Sequence, residues 1–320
     1  MKPILIGTRG SPLALWQAEY LRSALLAANP ALKVELEIIR TAGDKILGEP
    51  QQAALSKGMF TKELETALLG GAIDLAVHSL KDLPTELPEG LDIAAITARE
   101  DPADALISRD GLTLDHLPRG AKVLAGSPRR RAQLLHYRGD LQVLPIRGNV
   151  GTRLRKFEES GADGIVFAMA GLKRLGLGDR VTQRLDPVEF PPGCGQGALA
   201  VEIRRGDRVT AGLVSIVDDP LTRIATTAER AFLAALGGGC LMPAGAYGRS
   251  EDGGATLTLT GMLASPDGSA CFQDTVSAPC TGPQAAALGA ALADKFRAAG
   301  AAAILEQLEQ ARTQAPEGQL

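Results

Sequence analysis

Aromatic side chains are scarce in this 320-residue chain: they make up 3% of it and include one tryptophan. Surfaces that bind single-stranded nucleic acid stack bases on such rings, so no nucleic-acid partner is expected. Cysteine is also sparse, and Cys194, Cys240, Cys271 and Cys280 form no C-x-x-C pair. That spacing excludes a zinc knuckle, a redox dithiol and a disulfide-stapled miniprotein. His78, His116 and His136 are scattered and build no H-E-x-x-H helix, so no metal site is expected. No apolar run is long enough to span a bilayer, and no membrane partner is expected. In the opening stretch MKPILIGTRG, Arg9 stands where the apolar core of a secretory signal should continue, which predicts a cytoplasmic protein.

What remains is the composition of a globular protein, 45% hydrophobic and 22% charged. Its length exceeds one ordinary core and suits two or three domains. The net charge of −3 conceals an asymmetry. Between Arg119 and Arg184 there are 14 Lys and Arg against 5 Asp and Glu, which leaves 20 against 32 on the rest of the chain. A basic segment in an acidic protein is either a solvated face or a site for small polyanions.

Apolar patterning predicts an α/β opening: a strand at 4–8, a helix at 13–28 stopped by Asn29-Pro30, and a strand at 34–41. A helix at 61–69 and strands at 74–78 and 93–98 continue it. After Asp101-Pro102 the same order returns, with strands at 122–127, 141–148 and 164–171 and helices at 128–137 and 150–160. The strand at 198–204 follows Pro191-Pro192-Gly193 and is expected to cross back into the first domain. A helix at 221–236 runs into Gly237-Gly238-Gly239, and strands at 243–249, 255–264 and 270–278 with a terminal helix at 284–310 predict a small α+β domain. The expected boundaries are 1–98 with 198–216, then 103–192, then 220–320.

Gly10-Ser11-Pro12 and Gly126-Ser127-Pro128 each fall between a predicted strand and a predicted helix, with Ser at the cap and Pro in the first turn. Such helix starts are either plain caps or anion sites, because their unpaired N–H groups and positive end attract carboxylate or phosphate. Arg9 flanks one copy and Arg129, Arg130 and Arg131 the other. RGNVGTR repeats the pattern with Arg147 and Arg153 around a helix start. A guanidinium fork matches carboxylate oxygens in pairs, so Arg9, Arg129, Arg130, Arg147, Arg153 and Arg174 are candidates to hold a multiply acidic ligand. Lys81 and Asp82 lie at the carboxyl end of a predicted strand, where open α/β sheets bind ligands. Asp82 is either a turn residue before Leu83-Pro84 or a carboxylate that steadies a cation or accepts its N–H. Cys240, after the glycine run, is either a small buried hydrophobe or a thiol open to covalent attachment.

Seven blocks taken in order, GTRGSPLALWQAE (7–19), KGMFTKELE (57–65), DLAVHSLKDLP (74–84), RGNVGTRLRK (147–156), AGLKRLGL (170–177), GQGALAVE (195–202) and GGGCLMP (237–243), resemble the porphobilinogen deaminase (hydroxymethylbilane synthase) family over nearly the whole chain. The resemblance implies a transferase of tetrapyrrole and heme biosynthesis that deaminates four porphobilinogen molecules and joins them head to tail into hydroxymethylbilane, working as a monomer. It implies two similar α/β domains of the periplasmic-binding-protein type plus an α+β domain, and a dipyrromethane cofactor held by a thioether to Cys240. Matched position by position, Asp82 would stabilise the azafulvene cation formed as ammonia leaves, with Arg9 assisting proton transfer and Lys81 beside them. Lys81, Asp82, Ser127, Arg129 and Arg130 would hold the cofactor. Arg9, Ser11, Arg147, Arg153 and Arg174, with Lys57 and Phe60 of a covering loop, would meet the substrate. Each pyrrole carries an acetate and a propionate, which would account for the local basic surplus.

Three stretches depart from the family pattern. Ala125-Gly126-Ser127-Pro128 replaces Thr-Ser-Ser-Leu before the arginine pair and removes two hydroxyl donors, Ala53 replaces a lysine, and Gly237 replaces a glutamate before the cysteine. The competing reading is a two-lobed carboxylate-binding module with a structural Cys240; a metal-dependent hydrolase lacks ligands.

Overall fold

The computed structural model describes residues 2–41, 61–239, 242–250 and 252–314. β1 (Ile4–Thr8) pairs in parallel with both β2 (Val34–Ile38) and β3 (Leu75–Ser79). α1 (Pro12–Ala28) starts just past β1: Ser11 Oγ accepts from Ala14 N at 3.3 Å and Pro12 occupies the first turn. Its Ala18, Leu21 and Leu25 pack with Leu75 and Val77 on one face of the sheet. The alternate residue Ala76 meets Leu64 and Leu68 of α2 (Lys62–Leu69) on the other face. β4 (Leu91–Ile96) forms the edge, and the sheet order β2-β1-β3-β10-β4 places β10 (Leu199–Arg204) antiparallel between β3 and β4.

The second sheet follows the same plan. Its parallel strands are β6 (Lys122–Ala125), β7 (Gln142–Pro145) and β8 (Gly164–Ala168), and β5 (Asp104–Ser108) lies antiparallel beside β8, with the short β9 (Gln183–Arg184) at the edge. The order is β7-β6-β8-β5-β9. Each sheet therefore takes its antiparallel strand, β10 or β5, from the chain as it arrives from the other lobe. α3 (Pro128–Tyr137), α4 (Val150–Glu159) and α5 (Met169–Arg174) each follow a parallel strand. α6 (Arg208–Val214) returns to the first sheet, and α7 (Pro220–Ala235) leads out of it.

The third unit is an antiparallel sheet of β11 (Ala244–Arg249), β12 (Thr256–Ala264) and β13 (Cys271–Pro279), with α7, α8 (Gly282–Phe296) and α9 (Ala302–Gln314). Phe232 and Phe296 meet edge to face, centroids 5.4 Å apart, in its core. The close passage of α7 and α8 requires Gly289, where a Cβ would stand 2.2 Å from the Ala228 carbonyl oxygen. Among the described residues no helix is long and apolar enough to cross a membrane.

The two α/β domains and the small α+β domain are those expected from patterning, with local corrections. The strand predicted over 164–171 ends at Ala168, where Met169 begins a helix. The strand predicted over 141–148 ends at Pro145, whose ring removes the next ladder donor. The terminal helix is interrupted at 297–301, where Gly300 adopts φ 102°. β5, β9 and α6 were not foreseen, being short and without clear periodicity.

One buried carboxylate joins the three units. Glu229 on α7 has no exposure to solvent and accepts from Arg99 Nη1 at 2.5 Å and Nη2 at 3.1 Å, from Gly195 N at 2.7 Å and from Gly248 N at 2.7 Å. Arg99 and Gly195 lie on the two segments that cross between the lobes, and Gly248 is on β11. Glu229→Gln is expected to lower stability by about 3–5 kcal/mol, the cost of removing one charge from a buried pair; a loss below about 1 kcal/mol from urea titration would mean that the crossings are held elsewhere.

Candidate functional site

Parallel neighbours release their chains at the same edge. β1 therefore delivers Arg9 and Ser11, and β3 delivers Lys81 and Asp82, to one rim of the first sheet. Residues Leu80–Asp82 form one tight helical turn, with Leu80 N donating to the Ala198 carbonyl at 3.0 Å. Leu80 is buried against Gly195, where φ is +78° and a Cβ would stand 2.7 Å from Leu80 Cγ. That seat leaves Lys81 half-buried and Asp82 exposed. In the second sheet the carboxyl ends of β6, β7 and β8 lead to Ser127, Arg129 and Arg130, to Arg147 and Arg153, and to Arg174 respectively.

Gln196 links the two rims. Its Oε1 accepts from Lys81 Nζ at 3.1 Å and Arg130 Nη2 at 3.4 Å, while its Nε2 donates to Asp104 Oδ1 at 2.8 Å and the Pro102 carbonyl at 2.7 Å. Asp104 is buried and forms ion pairs with Arg129 and Arg130, each at 2.8 Å. Burial opposes its ionisation, but the two guanidinium groups prevail and hold the carboxyl well below the usual range. Arg129 also donates to Gln133 at 2.7 Å and the Pro191 carbonyl at 3.1 Å, and Arg130 donates to the Val166 carbonyl at 3.3 Å. Both arginines, expected at the ligand surface, are thus buried and tied to Asp104. Arg130 Nε is nevertheless buried without a partner.

Cationic crowding dominates the rest. Burial pushes the Lys81 ammonium down to about 8; Asp82 opposes the shift and Arg130 adds to it. Burial likewise pushes Arg153 down to about 10, with Arg130 and Arg147 adding repulsion and Asp82 partly offsetting it. The fork of Arg153 is aimed by local backbone: its Nε donates to the Gly148 carbonyl at 2.6 Å, and Asn149 caps α4 through Oδ1 to Thr152 N at 2.8 Å. Gly126 supplies the room, since a Cβ there would stand 2.8 Å from Arg153 Nη1. The departure at Gly126 is therefore matched by a guanidinium lying close over the backbone. Arg147 is exposed and reaches the Gly126 carbonyl at 3.4 Å. The two Gly-Ser-Pro copies differ: Ser11 caps its helix, whereas the Ser127 side chain makes no cap bond.

Arg174 lies where α1 and α5 meet. Its Nη2 donates to the Gly197 carbonyl at 2.6 Å, its Cζ lies 5.4 Å from the Trp16 ring centroid, and its Nε is buried without a partner. Trp16 also stacks on Tyr20, centroids 5.6 Å apart. Arg9 is half-buried. Burial pushes the thiols of Cys194 and Cys271 up to about 12 and about 11, which leaves them protonated and inert. Cys240, Lys57, Phe60 and Ala53 lie outside the described residues.

The structure adds four residues that sequence reasoning passed over: Asp104, Gln196, Glu229 and Arg230. Asp104 had a readable signal, an acid beside the apolar run Ala105-Leu106-Ile107. Gln196 stands in the glycine-rich block 195–202, where nothing local marks its amide.

Fold and site together define a two-lobed α/β protein of the periplasmic-binding-protein type with a cluster of cationic side chains where its two sheets meet. Residues 4–212 match the family model described as porphobilinogen deaminase, dipyromethane cofactor binding domain, and residues 223–298 match that of the porphobilinogen deaminase C-terminal domain. Similar proteins include the porphobilinogen deaminases of Moorella thermoacetica, 49% identical with 97% of each chain covered, and Syntrophotalea carbinolica, 48% identical with 95% of each covered. A solved structure of the methionine binding protein MetQ is similar at 15% identity and a TM-score of 0.44, covering 67% of this chain and 87% of that one. The chain belongs to the porphobilinogen deaminase family. Its activity is that of the family, a transferase that condenses porphobilinogen head to tail into hydroxymethylbilane on a dipyrromethane cofactor.

Lys81 offers a test of the cleft electrostatics. Its folded value of about 8 lies below the ordinary 10.5, so the unfolded chain holds this proton more tightly and the residue's contribution to stability grows as pH rises from about 8 towards 10.5. The urea midpoint of the ligand-free protein should therefore gain on that of Lys81→Met across this window. A constant difference between the two would place the ammonium in water.

Proposed function

We propose that the cation cluster of the cleft is the cradle for the acetate and propionate groups of cofactor and substrate, with Asp82 as the carboxylate that stabilises developing positive charge. The observation that carries this reading is the crowding itself: burial pushes Lys81 and Arg153 down, the Arg130 charge adds to both shifts and Arg147 to that of Arg153, and Asp82 is the acid that offsets both. Such a cluster costs free energy until an anion enters it. A multiply acidic ligand fits: the partnerless Arg130 Nε and the Ser127 hydroxyl, which makes no cap bond, offer donors beside the charge.

In this reading Lys81, Ser127, Arg129 and Arg130 hold the dipyrromethane, anchored through Cys240, with Asp104 keeping the two arginines aligned. When bound, the cofactor supplies the acidic pyrrole primer onto which the substrate is added. Asp82, exposed at the rim, accepts pyrrole N–H and offsets the cation left as ammonia departs; Arg9, on the neighbouring strand end, assists proton transfer to the amine. Ser11, Arg147, Arg153 and Arg174 bind substrate carboxylates, and Lys57 and Phe60 belong to the covering loop. We further propose a cytoplasmic monomer without nucleic-acid or membrane partners, divided at 1–98 with 198–216, 103–192 and 220–320.

Intact-mass measurement tests the attachment: the purified protein should carry an adduct of dipyrromethane size that Cys240→Ser loses, whereas an unmodified protein that binds carboxylates reversibly would favour the binding-module reading. Asp82→Asn is expected to keep the adduct and lose about 10²–10³-fold in turnover, the usual cost of removing one electrostatic stabiliser; near-normal ammonia release would remove Asp82 from the chemistry. Arg147→Ala and Arg153→Ala should accumulate stalled enzyme–substrate adducts in the mass spectrum with little loss of stability. An unstable variant with full activity per folded molecule would assign those arginines to the scaffold.

A further inference from the structure

Two successive charged residues of α7 reach out of the third unit. Glu229 binds the segments between the lobes, and its neighbour Arg230 reaches the first domain. The Arg230 fork donates to three consecutive carbonyls, Leu83 O at 3.3 Å, Pro84 O at 2.5 Å and Thr85 O at 3.2 Å. Those peptides directly follow Asp82. Burial pushes this guanidinium below its ordinary value. A charged group held there costs stability that an apolar side chain would not. What it supplies is geometric: several N–H donors in one rigid plane fix three peptide groups at once, which neither a lysine nor an amide can do.

The far end of the same helix approaches the same loop. Gly238 has φ +45°, and a Cβ on it would stand 3.2 Å from Thr85 Oγ1. Residues 83–85 are thus held between the Arg230 fork and the glycine run that leads in sequence to Cys240. Leu80, on the other side of Asp82, is fixed separately by the Ala198 carbonyl and by Gly195.

We propose that Arg230 is a positioning residue that, by fixing the peptides of residues 83–85, sets where the Asp82 carboxylate stands at the rim of the first sheet, so that every addition meets the same stabilising charge. The proposal rests on the roles given above to Asp82 and Cys240. Its test uses the holoenzyme with Arg230→Lys, Arg230→Ala and, in parallel, Asp82→Asn. A misplacement of about 1 Å costs on the order of 10²-fold, so both Arg230 variants should lose about that much in kcat while KM for porphobilinogen and the mass of the attached cofactor stay near those of the parent. Millimolar guanidinium should restore part of the Arg230→Ala rate, and Arg230→Lys should add no further loss on top of Asp82→Asn.

Normal kcat in both variants would overturn the proposal. So would a loss that follows the folded fraction or the fraction carrying cofactor, without guanidinium rescue, since a structural role alone predicts that pattern. Full turnover by Asp82→Asn would instead remove the reading of Asp82 on which the proposal stands, a result distinguishable from failure of the Arg230 variants alone.

Discussion

The architecture depends on one carboxylate buried at a junction. Two lobes that exchange antiparallel strands must pass the chain between them twice, and two bare crossings would leave their separation weakly determined. Glu229 binds both passages, through Arg99 on one and the Gly195 amide on the other, and ties them to β11 through the Gly248 amide. An ion pair of this kind is weak evidence for stability, because desolvation offsets most of the attraction. Its value lies in specifying one arrangement of three packed units.

Within that frame the cleft is an electrostatic compromise. Asp104 neutralises part of the arginine pair and Gln196 spans the lobes by accepting from Lys81 and Arg130 with one oxygen. Among the described residues, Asp82 is the acid that offsets both Lys81 and Arg153. Protein groups organised this way pay desolvation and repulsion during folding, before the ligand arrives, and so need little reorganisation afterwards. Arg129 and Arg130, expected to hold the cofactor, lie below the surface and are aligned by a carboxylate.

Much of the fold was legible because strand and helix periods repeat in the two lobes and because Ser and Pro mark the starts of α1 and α3. The basic side chains at the strand ends were legible for the same reason, since their positions follow from where each strand stops. What could not be read was long-range pairing. Nothing local to Asp104 says that two arginines on α3 will close over it, and nothing local to Gln196 says that its amide will face both lobes. Gly126 is the instructive case: by comparison with the family pattern it looked like a loss of hydroxyl donors, yet its missing Cβ is the space that Arg153 Nη1 occupies. Gly300 misled in the opposite sense, breaking a helix whose alanine content argues for continuity.

Trp16 sits on α1 in the first lobe with the Arg174 guanidinium from the second lobe over its ring, and the chain contains no other indole. Sliding or hinging of the lobes changes the polarity and the cation beside that chromophore. Its emission is accordingly a built-in optical gauge of the seam, readable without any attached dye.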